Sequence, residues 1–386
     1  MLNIAIYTLD MSMNGASKAL LDMLNHLDYS EVQVDIYIGV LGGEFDNDFP
    51  SQVNIIHAPK YPKNLLKLFQ CVLSHPVHFL KSLFQINRLT PNNPKHIYFE
   101  ATSLRMPIIP KKYDIGIAFR HFNVDTFYII NNIRAKKKYF WVHGEAVFTE
   151  EEQKVLGKYY KKYDGVFPVS ETAKNCLLSY FPNLKDKCTV LNNITDADKL
   201  KRLAKLGNGF QDSFNGLRIL SLGRLSSEKG FIMAAEAAKI LADKGYNFRW
   251  YIIGDGPEYK KIEKYIFDNS ISDKMILLGK QMNPYAMLKN CDIFVSCSYT
   301  EAYPLTIMEA KTFERPILTT DIPAAHEQLI EQKNAIFSKT DSISIAKGLE
   351  KLLIDSSLRK EFTYNLSLED HNDFKMIKIL MAELKK

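Results

Sequence analysis

The chain has 386 residues, 46% hydrophobic and 12% aromatic, with 50 Lys and Arg against 44 Asp and Glu for a formal charge of +6. That length exceeds one ordinary core and predicts two domains of about 190 residues each. The modest charge and the lack of any nucleic-acid motif argue against a nucleic-acid binder, no apolar run approaches the roughly 18 residues that cross a bilayer, and 5 scattered cysteines without a CxxC pair argue for reduced thiols in a cytosol.

Residues 3–8 read as a buried strand rather than a signal peptide, and a loop over 9–15 leads into a helix over 16–27 with Ala19, Leu20, Met23, Leu24 and Leu27 on one face. This opening lacks GxGxxG, so a nicotinamide dinucleotide site finds no support. Strands follow at 32–38 and 53–56. Residues 64–89 change texture, rich in Leu, Phe, Lys and His; the spacing of Leu65, Leu68, Phe69 and Val72 predicts helix, which Pro76 divides in two. Cys71, His75 and His78 share that spacing but lack a second pair of ligands, so no metal is assigned to them. Together with Lys111-Lys112, Lys136-Lys137-Lys138 and Lys161-Lys162, the stretch is a candidate for peripheral contact with an anionic membrane, set against plain packing into the core.

Strands over 114–119 and 138–142 end at Arg120 and at His143-Gly144-Glu145, both carboxyl edges if the sheet is parallel. A strand over 166–169 precedes a helix capped by Ser170, and a last strand over 190–195 closes the first half. The polar, charged residues 196–216 read as an interdomain connection. The expected domains are 1–195 and 196–365, with an amphipathic tail over 370–386.

The second half alternates strand and helix. LSLGRLSSEKG, ending at Gly230, is a strand, a tight turn at Gly223, and two cations, Arg224 and Lys229, before a helix over 231–241. Two cations at such a junction suit a diphosphate, Arg as a fork and Lys as a point charge. YIIGDGPE, with Gly254, is a second such turn whose glycines admit close backbone approach. A strand over 274–278 exits into Gly279, Lys280 and Gln281. The run from Cys291 to Asp321 then reads as a strand over 292–296, an acidic loop, a helix opened by Pro304 with Leu305, Ile307, Met308 and Phe313 on its apolar face, and a strand over 316–318. In such a βαβ unit the loop lies at the carboxyl edge of parallel strands, and the free N–H groups of Leu305 and Thr306 face an anion. Glu301 stands before that helix and Glu309 on its second turn, each able to accept from sugar hydroxyls.

GRLSSEKG, IIGDGPE, EAYPLTIME and RPILTTD, in this order, resemble the donor-domain motifs of retaining glycosyltransferase family 4, whose fold is GT-B: α/β, two Rossmann-like domains facing across a cleft. The resemblance implies that the first domain binds the acceptor and the second the donor, with a final helix over 366–386 returning to the first. It implies that Arg224 and Lys229 hold the donor diphosphate, that Glu309 holds the ribose, that Glu301 lies beside the transferred sugar, and that backbone groups at the exit bearing Lys280 and Gln281 hold the base, near Gly254. Gly15 would let the first loop approach the donor phosphates, and His143 matches the histidine placed near the sugar. One departure is Glu314, where the family usually has glycine; a left-handed backbone there would cost roughly 1 kcal/mol.

The implied reaction is transfer of a hexose from a nucleotide diphosphate sugar, UDP being the first choice, to a glycan or lipid-linked acceptor hydroxyl, with retention. No metal or cofactor is expected, since the two DxD patterns, at Asp46 and Asp48 and at Asp196 and Asp198, lie away from the donor motifs. The expected setting is surface polysaccharide synthesis, capsule or lipopolysaccharide, in the cytoplasm or at the inner membrane face. The rivals are a glycosyltransferase-like subunit that binds without catalysing and a nucleotide-sugar epimerase on the same fold.

Overall fold

A computed structural model describes residues 1–59 and 95–386, with 76, 77 and 80 between them. The helices expected over 64–89, with Cys71, His75 and His78, fall outside the described residues. The chain divides into two compact units, Met1–Asn193 with Lys375–Lys386, and Ile194–Phe374.

The first unit is built on β1 (Leu2–Thr8), β2 (Val32–Ile38), β3 (Asn54–His57), β4 (Lys112–Ala118), β5 (Arg134–Val142) and β6 (Gly165–Pro168). All pair in parallel in the order β3-β2-β1-β4-β5-β6. β1 is central, with Ile4 beside Val34 on one side and Ile115 on the other, and its apolar run is buried from Ile4 onward. The helix Gly15–Asn25 starts where Asn14 accepts from the Ser17 N–H at 2.9 Å.

β5 begins at Arg134, four residues before the expected start at 138. Lys136 lies in the strand with its ammonium 2.7 Å from Asp114 on β4, and Lys138 reaches the Ile130 carbonyl. The strand expected over 190–195 does not form. β6 has four residues, and the following chain lies beside it through an isolated bridge at Cys188, the Thr189 N–H to Val166 O and Leu191 N–H to Pro168 O bonds, and the Asn192 amide on Val169 O. The helix Lys375–Lys385 buries Met376, Leu380, Met381 and Leu384 within this unit, and Tyr139 donates to the Glu383 carbonyl.

The second unit is built on β7 (Leu217–Leu222), β8 (Phe248–Ile253), β9 (Met275–Leu277), β10 (Ile293–Ser296), β11 (Ile317–Thr320) and β12 (Ala335–Ser338). The order is β12-β11-β10-β7-β8-β9, again all parallel, and helices such as Phe231–Asp243 and Ser342–Ile354 bury their Ala and Leu faces on the sheet. The polar stretch 196–216 is not a bare connection. It contains the helix Ala197–Leu206, capped by Asp196, with Leu200 and Ala204 packed into the core of this unit.

In both units parallel strands run outward from a central pair, β1 and β4 or β10 and β7. Open sheets bind ligands at the carboxyl edge of such a switch point.

Candidate functional site

The switch point of the second unit brings together the loops after β7 and β10. Gly223 leaves β7, a turn over Ser227–Lys229 follows, and Gly230 adopts φ +66° before the helix Phe231–Asp243. A Cβ on Gly230 would lie 2.1 Å from the Cys297 carbonyl oxygen, so only glycine lets the two loops close. The Tyr299 N–H donates to the Glu228 carbonyl at 2.8 Å and completes that closure. The loop after β8 is drawn in likewise. Gly254, at φ +154°, donates to Gly279 at 2.9 Å, and its Cβ would strike the Gly223 carbonyl oxygen at 1.8 Å.

On this frame Lys229 forms an ion pair with Glu301, and the Ser298 hydroxyl donates to Glu301 Oε1 at 2.7 Å. Ser298 is itself buried, and Thr320 at the end of β11 donates to its carbonyl. Arg224 is exposed and makes no side-chain hydrogen bond or ion pair with any described residue. The helix Leu305–Thr312 opens without a side-chain cap. Ile307 bonds back to the Pro304 carbonyl, and the Leu305 and Thr306 N–H groups precede it. Glu309 is buried on this helix and accepts from the Tyr285 hydroxyl at 3.3 Å. Lys280 is exposed, and the Gln281 amide donates to Leu278 O at 3.1 Å. The edge thus offers cations, unpaired helix N–H groups and two carboxylates, the chemistry of a phosphorylated sugar site.

Glu314 adopts φ +57°, the left-handed conformation for which the family's glycine is suited.

Gly15 and His143 belong to the first unit. Gly15 is exposed and is the first residue of its helix. His143 follows β5, with its ring 4.6 Å from Phe119, and its Nε2 is enclosed without a partner. Burial, then the charges of His121 and Arg120, push its pKa down to about 3; burial alone takes His121 to about 4. Both rings are therefore neutral at pH 7.

Sequence reasoning missed the array around them. Arg120 donates to the Asp10 carbonyl at 2.9 Å, to its carboxylate at 3.3 Å and to the Ser17 hydroxyl at 3.0 Å. Asp125 accepts from the Arg120 N–H at 3.1 Å, is fully buried, and keeps Oδ1 without a partner. Burial raises it to about 7, against the opposing pull of Arg120. The available signal was a carboxylate inside the apolar helix Val124–Asn131.

Asp46 accepts from the Gly42 and Gly43 N–H groups and Asp196 caps a helix, so the first aspartate of each DxD pattern has a local task. Among the described residues no group of three or more His, Cys, Asp or Glu is arranged to hold a metal ion.

Two parallel sheets, each with helices and a carboxyl-edge site, define the GT-B class of α/β proteins. Residues 214–367 match the family model of glycosyl transferases group 1. It is 29% identical to an uncharacterised glycosyltransferase of Methanocaldococcus jannaschii over 56% of this chain and 55% of the relative. It is 25% identical to an N-acetylgalactosamine-N,N'-diacetylbacillosaminyl-diphospho-undecaprenol 4-alpha-N-acetylgalactosaminyltransferase of Campylobacter jejuni, over 58% of this chain and 60% of that protein. The chain thus spans little more than half the length of the curated relatives it matches. Anabaena HepE in complex with UDP and glucose shares the fold with a TM-score of 0.72, at 15% identity and with 99% of each chain covered.

Proposed function

We propose that the protein is a retaining hexosyltransferase that moves a sugar from a nucleotide diphosphate, UDP being the first candidate, to a hydroxyl of a glycan or lipid-linked acceptor. The observation that carries the reading is the Lys229–Glu301 pair at the switch point of the second unit, beside the uncapped start of the helix Leu305–Thr312. In this reading Arg224, Lys229 and the Leu305 and Thr306 N–H groups receive the diphosphate and stabilise the charge that grows on it as the glycosidic bond breaks. Glu309 accepts from the ribose and Glu301 from the transferred sugar. Gly254, Lys280 and Gln281 border the nucleoside, the last two through the backbone of their turn. The first unit supplies the acceptor side, with neutral His143 able to accept or donate a hydrogen bond. No metal is assigned a role.

The name of the Campylobacter relative supports an acceptor built on a lipid diphosphate, and with it surface glycan synthesis. Such an acceptor is presented at a membrane, so we include peripheral contact at the inner face through the lysine-rich first half. Among the described residues no helix is long and apolar enough to cross a membrane. Flotation with anionic liposomes at low salt tests the contact; protein left at the bottom of the gradient removes it.

A panel of nucleotide sugars, assayed for hydrolysis and for transfer, tests the main reading. Turnover of one donor that increases with added acceptor supports it. Binding without turnover gives the non-catalytic subunit, and release of an epimerised sugar without acceptor gives the epimerase.

A further inference from the structure

The two carboxylates of the donor edge are held differently, and the difference bears on how the sugar is met. Glu301 directs one oxygen, Oε1, at both of its protein partners, the Lys229 ammonium and the Ser298 hydroxyl. A carboxylate oxygen has two acceptor sites, so these two donors use both. No described residue donates to Oε2, and the side chain retains 13% of its exposure. The carboxylate is therefore presented with one oxygen engaged and the other open.

Lys229 cannot be the fixed point of this arrangement once a diphosphate is present, because its flexible ammonium has three donors and a doubly charged neighbour competes for them. Ser298 can be. It is 3% exposed, it sits one residue beyond the buried Cys297, and its carbonyl is tied to Thr320 on the neighbouring strand. The next residue, Tyr299, is bonded through its N–H to Glu228 in the loop that carries Lys229. The Ser298 hydroxyl is thus mounted on the rigid part of the edge, and Glu301 hangs from it.

We propose that Ser298 is a positioning residue for sugar transfer, holding Glu301 Oε1 so that Oε2 alone meets a single hydroxyl of the transferred sugar. The inference rests on reading the second unit as the donor site. Ser298 touches neither phosphate nor sugar, so its loss acts through the orientation of Glu301 and not through nucleotide binding.

The experiment uses the full chain and whichever of UDP, GDP and ADP it binds most tightly, with the matching nucleotide sugar. Calorimetry gives the nucleoside diphosphate Kd, and steady-state turnover gives kcat, for wild type, Ser298→Ala, Ser298→Thr, Glu301→Gln and the Ser298→Ala/Glu301→Gln double variant. Ser298→Ala is expected to lower kcat about tenfold, the scale of one hydrogen bond to a charged group, while Kd stays within about twofold. Ser298→Thr, which keeps the hydroxyl, is expected to recover most of the turnover. In the Glu301→Gln background the serine substitution should add little, because the group it orients is already altered. Unchanged kcat in Ser298→Ala, a loss that multiplies fully with that of Glu301→Gln, or a parallel loss of nucleotide affinity each overturns the proposal while leaving the donor reading intact. Failure of wild type to bind any of the three nucleotides, or binding that survives Lys229→Ala unweakened, removes the donor reading itself and the inference with it.

Discussion

The two units present carboxyl edges at the same switch point of similar sheets, yet these edges are made of different material. In the second unit the edge is shaped by backbone. Gly230 and Gly254 let loops close to distances no side chain permits, and the Leu305 and Thr306 N–H groups open a helix that no side chain caps. In the first unit the edge is shaped by side chains, with Arg120 joined to Asp10 and Ser17 and with Asp125 buried beneath them. A backbone-built edge suits a rigid, highly charged ligand that many sequences must hold in one way. A side-chain array, by contrast, can be re-chosen for each partner, which fits the unit assigned here to the acceptor.

The largest expected effect breaks the anion-binding side of this contrast. Lys229→Ala and Arg224→Ala should each lower turnover by about 10² to 10³-fold, the usual loss for one preorganised charge donor. Steady-state kinetics with the best donor measures it, and near-normal rates in either variant would remove the diphosphate assignment. A chelator should leave turnover largely intact; complete loss restored by added metal would contradict the metal-free scheme.

Next in size is the backbone itself. Gly254→Ala should destabilise the second unit by roughly 2–3 kcal/mol, because its Cβ meets the Gly223 carbonyl oxygen at 1.8 Å and its φ of +154° disfavours a side chain. Denaturant unfolding of the variant checks this.

The first unit should instead show its character in pH dependence. Asp125 is raised from 3.8 to about 7, so the folded state holds its proton more tightly than the unfolded chain. Its contribution to stability is full below 3.8 and is lost as pH rises through about 7. His121 and His143, depressed to about 4 and about 3, have the opposite sign, contributing above 6.5 and losing that contribution as pH falls. The difference between wild type and Asp125→Asn isolates the carboxyl. Measured by urea unfolding, the variant should gain on wild type steadily from pH 4 to pH 7; a constant difference would mean that Asp125 is ionised throughout.

The smallest effect concerns Glu314. Glu314→Gly should stabilise the protein by about 1 kcal/mol, since φ is +57° there and glycine adopts it without a Cβ penalty. Thermal unfolding reads it, and no gain would mean that the Glu314 side chain makes good the strain.

The same difference in material explains what was legible in the sequence. Arg224, Lys229, Glu301 and Glu309 lie in short runs, each belonging to one strand end and its helix, so order and spacing announced them. Arg120 and Asp10 are 110 positions apart and meet only because β1 and β4 are neighbours, which no local pattern encodes. Ser298 and Tyr285 were passed over for a related reason, since they act on the two glutamates and carry no charge of their own. Helix Ala197–Leu206 was read as a connection because half of its residues are charged, although Ala197, Leu200 and Ala204 already had helical spacing. The opposite error occurred at 190–195, where an apolar start suggested a strand but β6 is too short to pair it.

The central claim, that the second unit holds a nucleotide sugar with Glu309 on the ribose and Glu301 on the sugar, is tested most directly by calorimetry beside kinetics on Glu309→Gln and Glu301→Gln. The ribose is remote from the bond that breaks, so Glu309→Gln should weaken free nucleoside diphosphate and nucleotide sugar alike. Glu301→Gln should lower kcat more than it weakens nucleotide binding, because its contact tightens only as the glycosidic bond opens. Loss of nucleotide affinity in Glu301→Gln with affinity retained in Glu309→Gln would reverse the two roles and contradict this placement of the donor.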